Sequence, residues 1–457
     1  MTMTTTIPIA PSLERGFDLR TVSQATAIAI AVADMIGIGV FTSLGFQVTD
    51  IPSAFSLLVL WIVGGIAALC GALAYAELAT AFPRSGGEYN FLSRIYHPAV
   101  GFFAGWVSAT VGFAAPVALA AMAFGEYFKA VMPGASPLAL GLAITWLVSL
   151  VHLAGGHYGS TLQNVSTLIK IALIVVFIGA GFSVADPQPI SFMPSAGEWH
   201  YLTGAPFAVS LVFVMYSYSG WNAATYIAGE VREPHKTLPR AMLVATSVVV
   251  LLYLALNAVF LYTTPMAEMA GHLDVARIAG QHIFGEAGGR IVAALICFGL
   301  ISSISAMVWI GPRVSMAMGE DMPLLDVFAR KTANGVPWVA ILFQLAVVSV
   351  LLFTQSFEAI LDYIQFSLTF CSFLAVLGVI VLRLRHPGMA RPYGTWGYPV
   401  TPLIFLGVTA FMMFYLLKER PMQSLAGLAT ILMGYVIYVA AQKTLNRGGA
   451  ISESGNA

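Results

Sequence analysis

Ala33-Asp34-Met35-Ile36-Gly37-Ile38-Gly39-Val40-Phe41 interrupts one long apolar run with a carboxylate and a Gly-x-Gly, and Tyr216-Ser217-Tyr218-Ser219-Gly220-Trp221-Asn222 interrupts another. A helix that unwinds at such a place exposes N–H and C=O groups without intrahelical partners. In a bilayer, non-helical backbone is tolerated only where it is buried in protein or lines a cavity. One Gly-x-Gly is also a common device for packing membrane helices closely. Two interrupted segments at corresponding places in two halves instead point to a midplane binding site between structural repeats.

The composition requires a membrane. Hydrophobic residues make up 58% of the 457, and charged residues 9%, against about 25% in a typical soluble domain. The net charge is zero, which gives no reason to expect a nucleic-acid partner. Cys70, Cys297 and Cys371 all lie in apolar runs, an arrangement that argues against a disulfide framework or a thiolate metal site. Glu14, Arg15, Asp18 and Arg20 precede the first apolar run, so the first helix is expected to act as its own insertion signal.

The runs are long and continuously apolar, which favours helices over the alternating strands of a barrel. Twelve are read: 24–48, 54–81, 97–126, 136–154, 161–184, 205–229, 239–263, 288–317, 337–354, 358–383, 399–417 and 422–442. The interruptions fall in the first and sixth. Of the 21 Lys and Arg, one side collects Lys129, Arg277, Arg290, Lys418 and Arg420, Lys170 falls within a run, and 15 remain for the other side. The excess of positive charge predicts that both termini are cytoplasmic. The expected organisation is a tail at 1–20, a first inverted repeat at 21–200, a second at 201–384, two added helices at 385–443 and a tail at 444–457.

Half-helix amino termini carry partial positive charge, and freed carbonyls can hold a cation. The two breaks together therefore suit a zwitterion. At the first, the N–H groups of Ile38 and Gly39 are candidates for a carboxylate and the carbonyl of Met35 for an ammonium; the absence of side chains at Gly37 and Gly39 lets ligand approach the backbone. At the second, the carbonyls of Tyr216, Ser217 and Ser219 complete the ammonium site. Asn222 caps the second half-helix or touches ligand, and the ring of Tyr216 is a candidate gate.

Lys170 lies nine residues into the fifth run, where an ionisable group costs at least roughly 2.5 kcal/mol. It is read either as a fixed cation replacing a coupling ion or carrying a proton, or as a lysine snorkelling to the interface. The candidate partners are carbonyls of the first break, the hydroxyls of Ser302, Ser303 and Ser305, and Asp34. Asp34 itself has three readings: counter-ion of Lys170, proton carrier, or partner of a cationic substrate group. Glu77, Arg84, Glu230, Arg232 and Arg313 are charged positions on the expected cytoplasmic side. They are read as a solvated face or as an inner gate.

At these residues the chain resembles the amino acid, polyamine and organocation transporter superfamily over nearly its whole length. The motifs are Gly37-Ile38-Gly39-Val40-Phe41, Pro83-Arg84-Ser85-Gly86-Gly87-Glu88-Tyr89, the lysine at 170, Ser219-Gly220-Trp221-Asn222 and Gly229-Glu230-Val231-Arg232-Glu233-Pro234. The Ser219 to Asn222 stretch is most similar to the light chains of L-type amino-acid transporters and their bacterial relatives. The resemblance implies a LeuT-like fold of five plus five inverted-repeat helices with two extra, alternating access and an α-amino-acid substrate. It also implies that Lys170 takes the place of a sodium ion. Three departures stand out. Asp34 occupies a place where relatives mostly have a neutral residue. Pro312 within Trp309-Ile310-Gly311-Pro312-Arg313 suggests a different kink in the eighth helix. The segment Met132 to Pro137 lacks the cysteine that joins eukaryotic light chains to a heavy subunit, so no disulfide-linked heavy subunit is expected.

The leading expectation is a sodium-independent exchanger or proton symporter of neutral L-amino acids in the cytoplasmic membrane, with no cofactor. A polyamine or cationic amino-acid carrier using Asp34 is the alternative. An intramembrane enzyme would need a catalytic constellation, and His152 with His157 has no supporting acidic motif. Nothing resembles a channel filter or a sensor domain.

Overall fold

The computed structural model describes residues 20–195, 197–355 and 357–454. The expected tail with Glu14, Arg15 and Asp18 lies outside the described residues, as do the side chains of His157, Asp362, Lys443 and Arg447. Among the described residues nine helical segments are long and apolar enough to cross a membrane, and Thr167–Phe182, Ala205–Ser217 and Trp338–Thr354 are shorter apolar helices. Together they account for the twelve runs of the sequence.

The first crossing is split into α1 (Gln24–Met35) and α2 (Gly39–Asp50), and α3 (Ala54–Ala81) returns. A short helix α4 (Glu88–Ile95) then precedes α5 (Pro98–Val107) and α6 (Ala114–Lys129), which a π turn at Ser108–Gly112 joins into the third crossing. The fourth and fifth crossings are α7 (Pro137–Ala154) and α8 (Gly156–Phe182); α9 (Glu198–Thr203) is a short surface helix. The sixth is α10 (Ala205–Ser217), a bend, and the single turn α11 (Ala223–Tyr226). Beyond it come α12 (Pro234–Thr263), the turn α13 (Met266–Met269), α14 (Val275–Asp321), α15 (Trp338–Thr354), α16 (Phe357–Arg385), α17 (Val400–Glu419) and α18 (Pro421–Ser454).

The boundaries follow local chemistry. Ser23 caps α1 by accepting from the N–H of Thr26 at 3.2 Å, and Ser53 caps α3 through Ser56 at the same distance. Proline occupies the first turn of α5, α7 and α10, where its missing N–H costs no hydrogen bond. The sequence reading missed α4, taking its start for a charged loop. Its acidic first residue Glu88 and basic Arg94 in the last turn suit the helix dipole, but a helix of eight residues leaves no hydropathy run. Pro312 lies inside α14, and a non-helical residue also interrupts that helix at Gly285, at φ 74° and ψ −177°. Within the expected carboxy-terminal tail, α18 continues as helix through Ser454.

The broken first crossing sits at the centre. Every residue of α1 and α2 from Ile30 to Gly45 is buried, apart from the half-buried Gly37. At the periphery, α17 and α18 expose Leu403, Phe414, Met422 and Val436, as helices facing lipid do. Among the described residues there is no strand; a single bridge pairs Val22 with Val231, tying the start of the first crossing to the end of the sixth.

Candidate functional site

Lys170 does not snorkel. It is 4% exposed, whereas Leu168 on the same helix is 69% exposed, so the lysine faces inward. Its ammonium donates to the carbonyl of Ile36 at 2.6 Å, to that of Ala33 at 3.3 Å and to Ser303 Oγ at 2.8 Å. Ser303 in turn donates to the carbonyl of Ile36 at 2.7 Å. In an unbroken helix these carbonyls would accept from residues four further on. The cation of α8 therefore takes over backbone acceptors that the break sets free.

Of the other proposed partners, Ser302 lies 3.5 Å from Thr167 and Ser305 pairs with His152 Nε2 at 2.9 Å. Of the candidate partners, the Ala33 and Ile36 carbonyls and Ser303 hydrogen-bond the Lys170 ammonium, and Asp34 attracts it electrostatically. His152, weighed for catalysis, instead bridges α7 to α14.

A residue that the sequence reading overlooked ties the two breaks together. Tyr253 of α12 donates its hydroxyl to the carbonyl of Met35 at 2.6 Å, and also lies 3.2 Å from the carbonyl of Ser217. Met35 and Ser217 were expected to offer these carbonyls to an ammonium; here a phenol engages both. The carbonyl of Tyr216 is likewise engaged, by the N–H and Oγ of Ser219 at 2.9 and 2.6 Å. The reason is general: a buried carbonyl in hydrocarbon does not stay unpaired.

The glycines divide by role. A Cβ on Gly39 would lie 2.5 Å from Ser217 Oγ and 2.8 Å from Ser217 Cα, so this glycine lets α2 press against α10. A Cβ on Gly37 would meet nothing closer than 3.9 Å. The space beside Gly37 is therefore open, although its N–H donates to the carbonyl of Met35 at 2.7 Å. Gly220, at φ +100°, would place a Cβ 2.5 Å from Asp34 Oδ2. Both its conformation and the space beside it exclude a side chain.

Beside the breaks lies a cavity of about 80 Å³, lined among others by Asp34, Ser219, Gly220, Trp221, Asn222 and Gln365. Ser219 and Asn222 are on its wall; Ile38, Gly39, Tyr216 and Ser217 are not. Asn222 donates to the hydroxyl of Tyr226 at 3.4 Å, and makes no side-chain cap to the turn α11 that follows it. Both Ser108 and Gly112 of the π turn line this cavity, in keeping with the tendency of such turns to occur at functional sites.

The charged residues of the amino-terminal face surround a larger vestibule of about 890 Å³, lined by Val22, Arg84, Glu230, Arg232 and Arg313 among others. Arg313 pairs with Glu230 at 2.9 Å. Arg84 pairs with Asp321 at 2.9 Å, and Tyr89 donates to the same carboxylate at 2.8 Å. Burial acts most strongly to lower the Arg84 value, yet Asp321, Glu320 and Tyr89 together outweigh it and hold the guanidinium above its ordinary range. Arg232 donates to the carbonyl of Arg20 at 3.1 Å. Glu77 is no part of this cluster, which corrects its place in the expected gate. Its carboxylate is held by Arg383 at 2.6 Å, by Arg391 at 3.4 Å and by Thr395 at 2.7 Å.

The far face is closed. The N–H of Gly271 donates to the carbonyl of Gly45 at 2.8 Å, and Tyr127 donates to the carbonyls of Phe41 at 3.3 Å and Leu273 at 3.4 Å. The segment after α13 thereby seals α2 against α6.

Comparison with known proteins places this geometry in context. A family model described as amino acid permease matches residues 22–440. The serine/threonine exchanger SteT of Bacillus subtilis is 26% identical over 91% of this chain and 95% of its own length. The large neutral amino acids transporter small subunit 2 of Homo sapiens is 27% identical over 91% of this chain and 79% of its own. The human b(0,+)-type amino acid transporter 1 is 24% identical, covering 87% of this chain and 82% of its own.

Tyr253→Phe removes the hydroxyl between the carbonyls of Met35 and Ser217; Met35 keeps the N–H of Gly37 at 2.7 Å, so the acceptor affected is that of Ser217. The expected result is a loss of about 1–3 kcal/mol, the cost of leaving a buried acceptor unpaired, measured by thermal unfolding of the purified protein in detergent. An unchanged midpoint would show that the two breaks do not depend on this hydroxyl.

Proposed function

The chain belongs to the amino acid permease family, and on that premise we propose that it is a secondary carrier of α-amino acids, in the first place neutral ones. It exchanges them, or moves them with protons, and does not use sodium. The observation that carries this reading is the Lys170 ammonium seated on the Ala33 and Ile36 carbonyls: a fixed cation already occupies acceptors that a bound metal ion would need. The names of the relatives, an exchanger of serine and threonine and a transporter of large neutral amino acids, support the substrate class.

The substrate carboxylate is assigned to the backbone at Ile38 and Gly39, where the amino terminus of α2 carries a partial positive charge; the N–H of Gly37 is already given to the carbonyl of Met35 at 2.7 Å. Residues 21–200 and 201–384 are assigned as the two inverted repeats, with α17 and α18 as additions. Alternating access then amounts to closure of the vestibule on the amino-terminal face and opening of the seal at Gly45 and Gly271. Arg84, Glu230 and Arg313 line that vestibule and serve its closure. We place this face in the cytoplasm, on the 15 positive charges it collects out of 21. The three cysteines are buried, which supports a chain that works without a disulfide-linked heavy subunit.

Counterflow into proteoliposomes loaded with unlabelled neutral amino acids tests the reading. Wild-type protein accumulates labelled neutral amino acid, and Lys170→Ala loses at least tenfold of the rate while still reaching the membrane. Wild-type rates in that variant, at matched expression, would remove the role given to Lys170. Sidedness is checked separately with a membrane-impermeant maleimide on Arg232→Cys, at an exposed position. Labelling is expected only after the cells are permeabilised, and labelling of intact cells would invert the orientation.

A further inference from the structure

The cavity beside the breaks has a feature that binding of the substrate backbone does not use. Its wall carries two carboxylates, Asp34 and Glu88, and none of its lining residues is a lysine, arginine or histidine. Glu88 is provided for: it accepts from Tyr75 and from Ser372 at 2.9 Å, and Tyr226 also bonds to it. Asp34 is not. It is 7% exposed, and its Oδ1 has no hydrogen-bond partner. The ammonium of Lys170 attracts Asp34 electrostatically, but its hydrogen bonds go to the carbonyls of Ala33 and Ile36 and to Ser303, and none reaches this oxygen.

Gln365 of α16, 3% exposed, lies on the same wall, and its Oε1 is also without a partner. Two buried acceptors on one small cavity, one of them a carboxylate, are costly as they stand. A ligand that satisfies both must bring donors and, to offset Asp34, positive charge. A hydroxyl brings a single donor and no charge, whereas an ammonium brings three donors and a full charge. The remaining wall suits such a group: Phe113, Trp221, Tyr226 and Phe405 surround the space with aromatic rings, which attract cations over their faces. The π turn at Ser108–Gly112 and the bend at Gly220 both open onto this space. Gly220 holds the Asp34 side chain from behind by close contact, since even a methyl there would collide with it.

We propose that Asp34 Oδ1 and Gln365 Oε1 form a subsite for a protonated nitrogen on the substrate side chain, so that the carrier accepts amino acids with an ω-ammonium as well as neutral ones. This rests on the transport reading above, because Asp34 directly precedes the break to which the substrate backbone is assigned there. Neutral side chains enter the same space and leave Asp34 to be satisfied by a proton or water; a cationic side chain satisfies it directly.

Equilibrium binding of radiolabelled lysine and radiolabelled threonine to protein in lipid nanodiscs tests the proposal. Wild-type protein binds both, each displacing the other. In Asp34→Asn the ratio of lysine to threonine affinity falls at least tenfold, and in Gln365→Leu at least threefold. If Asp34→Asn fails to fold, wild-type displacement and Gln365→Leu decide the matter. Threonine binding that lysine does not displace would overturn the subsite while leaving the transport reading in place. So would an unchanged ratio in both variants. A loss in Asp34→Asn confined to the pH dependence of threonine uptake would overturn it as well, by making Asp34 a proton carrier. Absence of binding by either amino acid to folded wild-type protein would overturn the transport reading itself, and the subsite with it.

Discussion

The architecture depends on one ammonium group. A helix broken in the middle of a bilayer leaves carbonyls that hydrocarbon cannot satisfy, at several kcal/mol each; a lysine in the same place is costly for the opposite reason. Each resolves the other's cost. Lys170 engages the carbonyls of Ala33 and Ile36, Ser303 adds a second donor to Ile36, and Tyr253 provides for Met35 and Ser217. The break thus becomes a fixed structure with polar backbone at the protein's centre, and a route for a polar solute can be built around it.

That centre has two chemically distinct parts. Towards α8 and α14 it is cationic and closed, with its donors and acceptors matched. Towards α6, α11 and α16 it is acidic and hollow, with the oxygens of Asp34 and Gln365 unmatched. The residue that separates them is Asp34 itself, immediately before the Met35 carbonyl that Tyr253 holds. Contacts at Gly45, Gly271 and Tyr127 join α2 to its neighbours on one face, and the wide vestibule lies on the other.

The sequence made the crossings and the breaks legible, because both are written in hydropathy and in small residues. Lys170 was legible too, since a charge deep in an apolar run has few explanations. What stayed hidden was pairing across distant segments. Tyr253 and Gln365 are single polar residues in apolar helices, and nothing local distinguishes them from many others. Glu77 looked like a partner for nearby arginines, yet Arg383 and Arg391 lie some three hundred positions away in sequence and hold it first. That Gly39 packs against Ser217, so that a side chain there would collide with it, was not legible either. Asp34 left several readings open, and the structure shows it attracted to Lys170 while its Oδ1 lacks a hydrogen-bond partner.

The central claim is that the Lys170 ammonium stands where a sodium ion would otherwise bind. Binding of labelled threonine to the protein in nanodiscs, titrated with sodium chloride against choline chloride at constant ionic strength, tests it most directly. The account predicts one affinity throughout, with full binding in the absence of sodium. A saturable gain in affinity with sodium would contradict it, since the broken helix would then hold a metal ion in addition to, or in place of, the lysine.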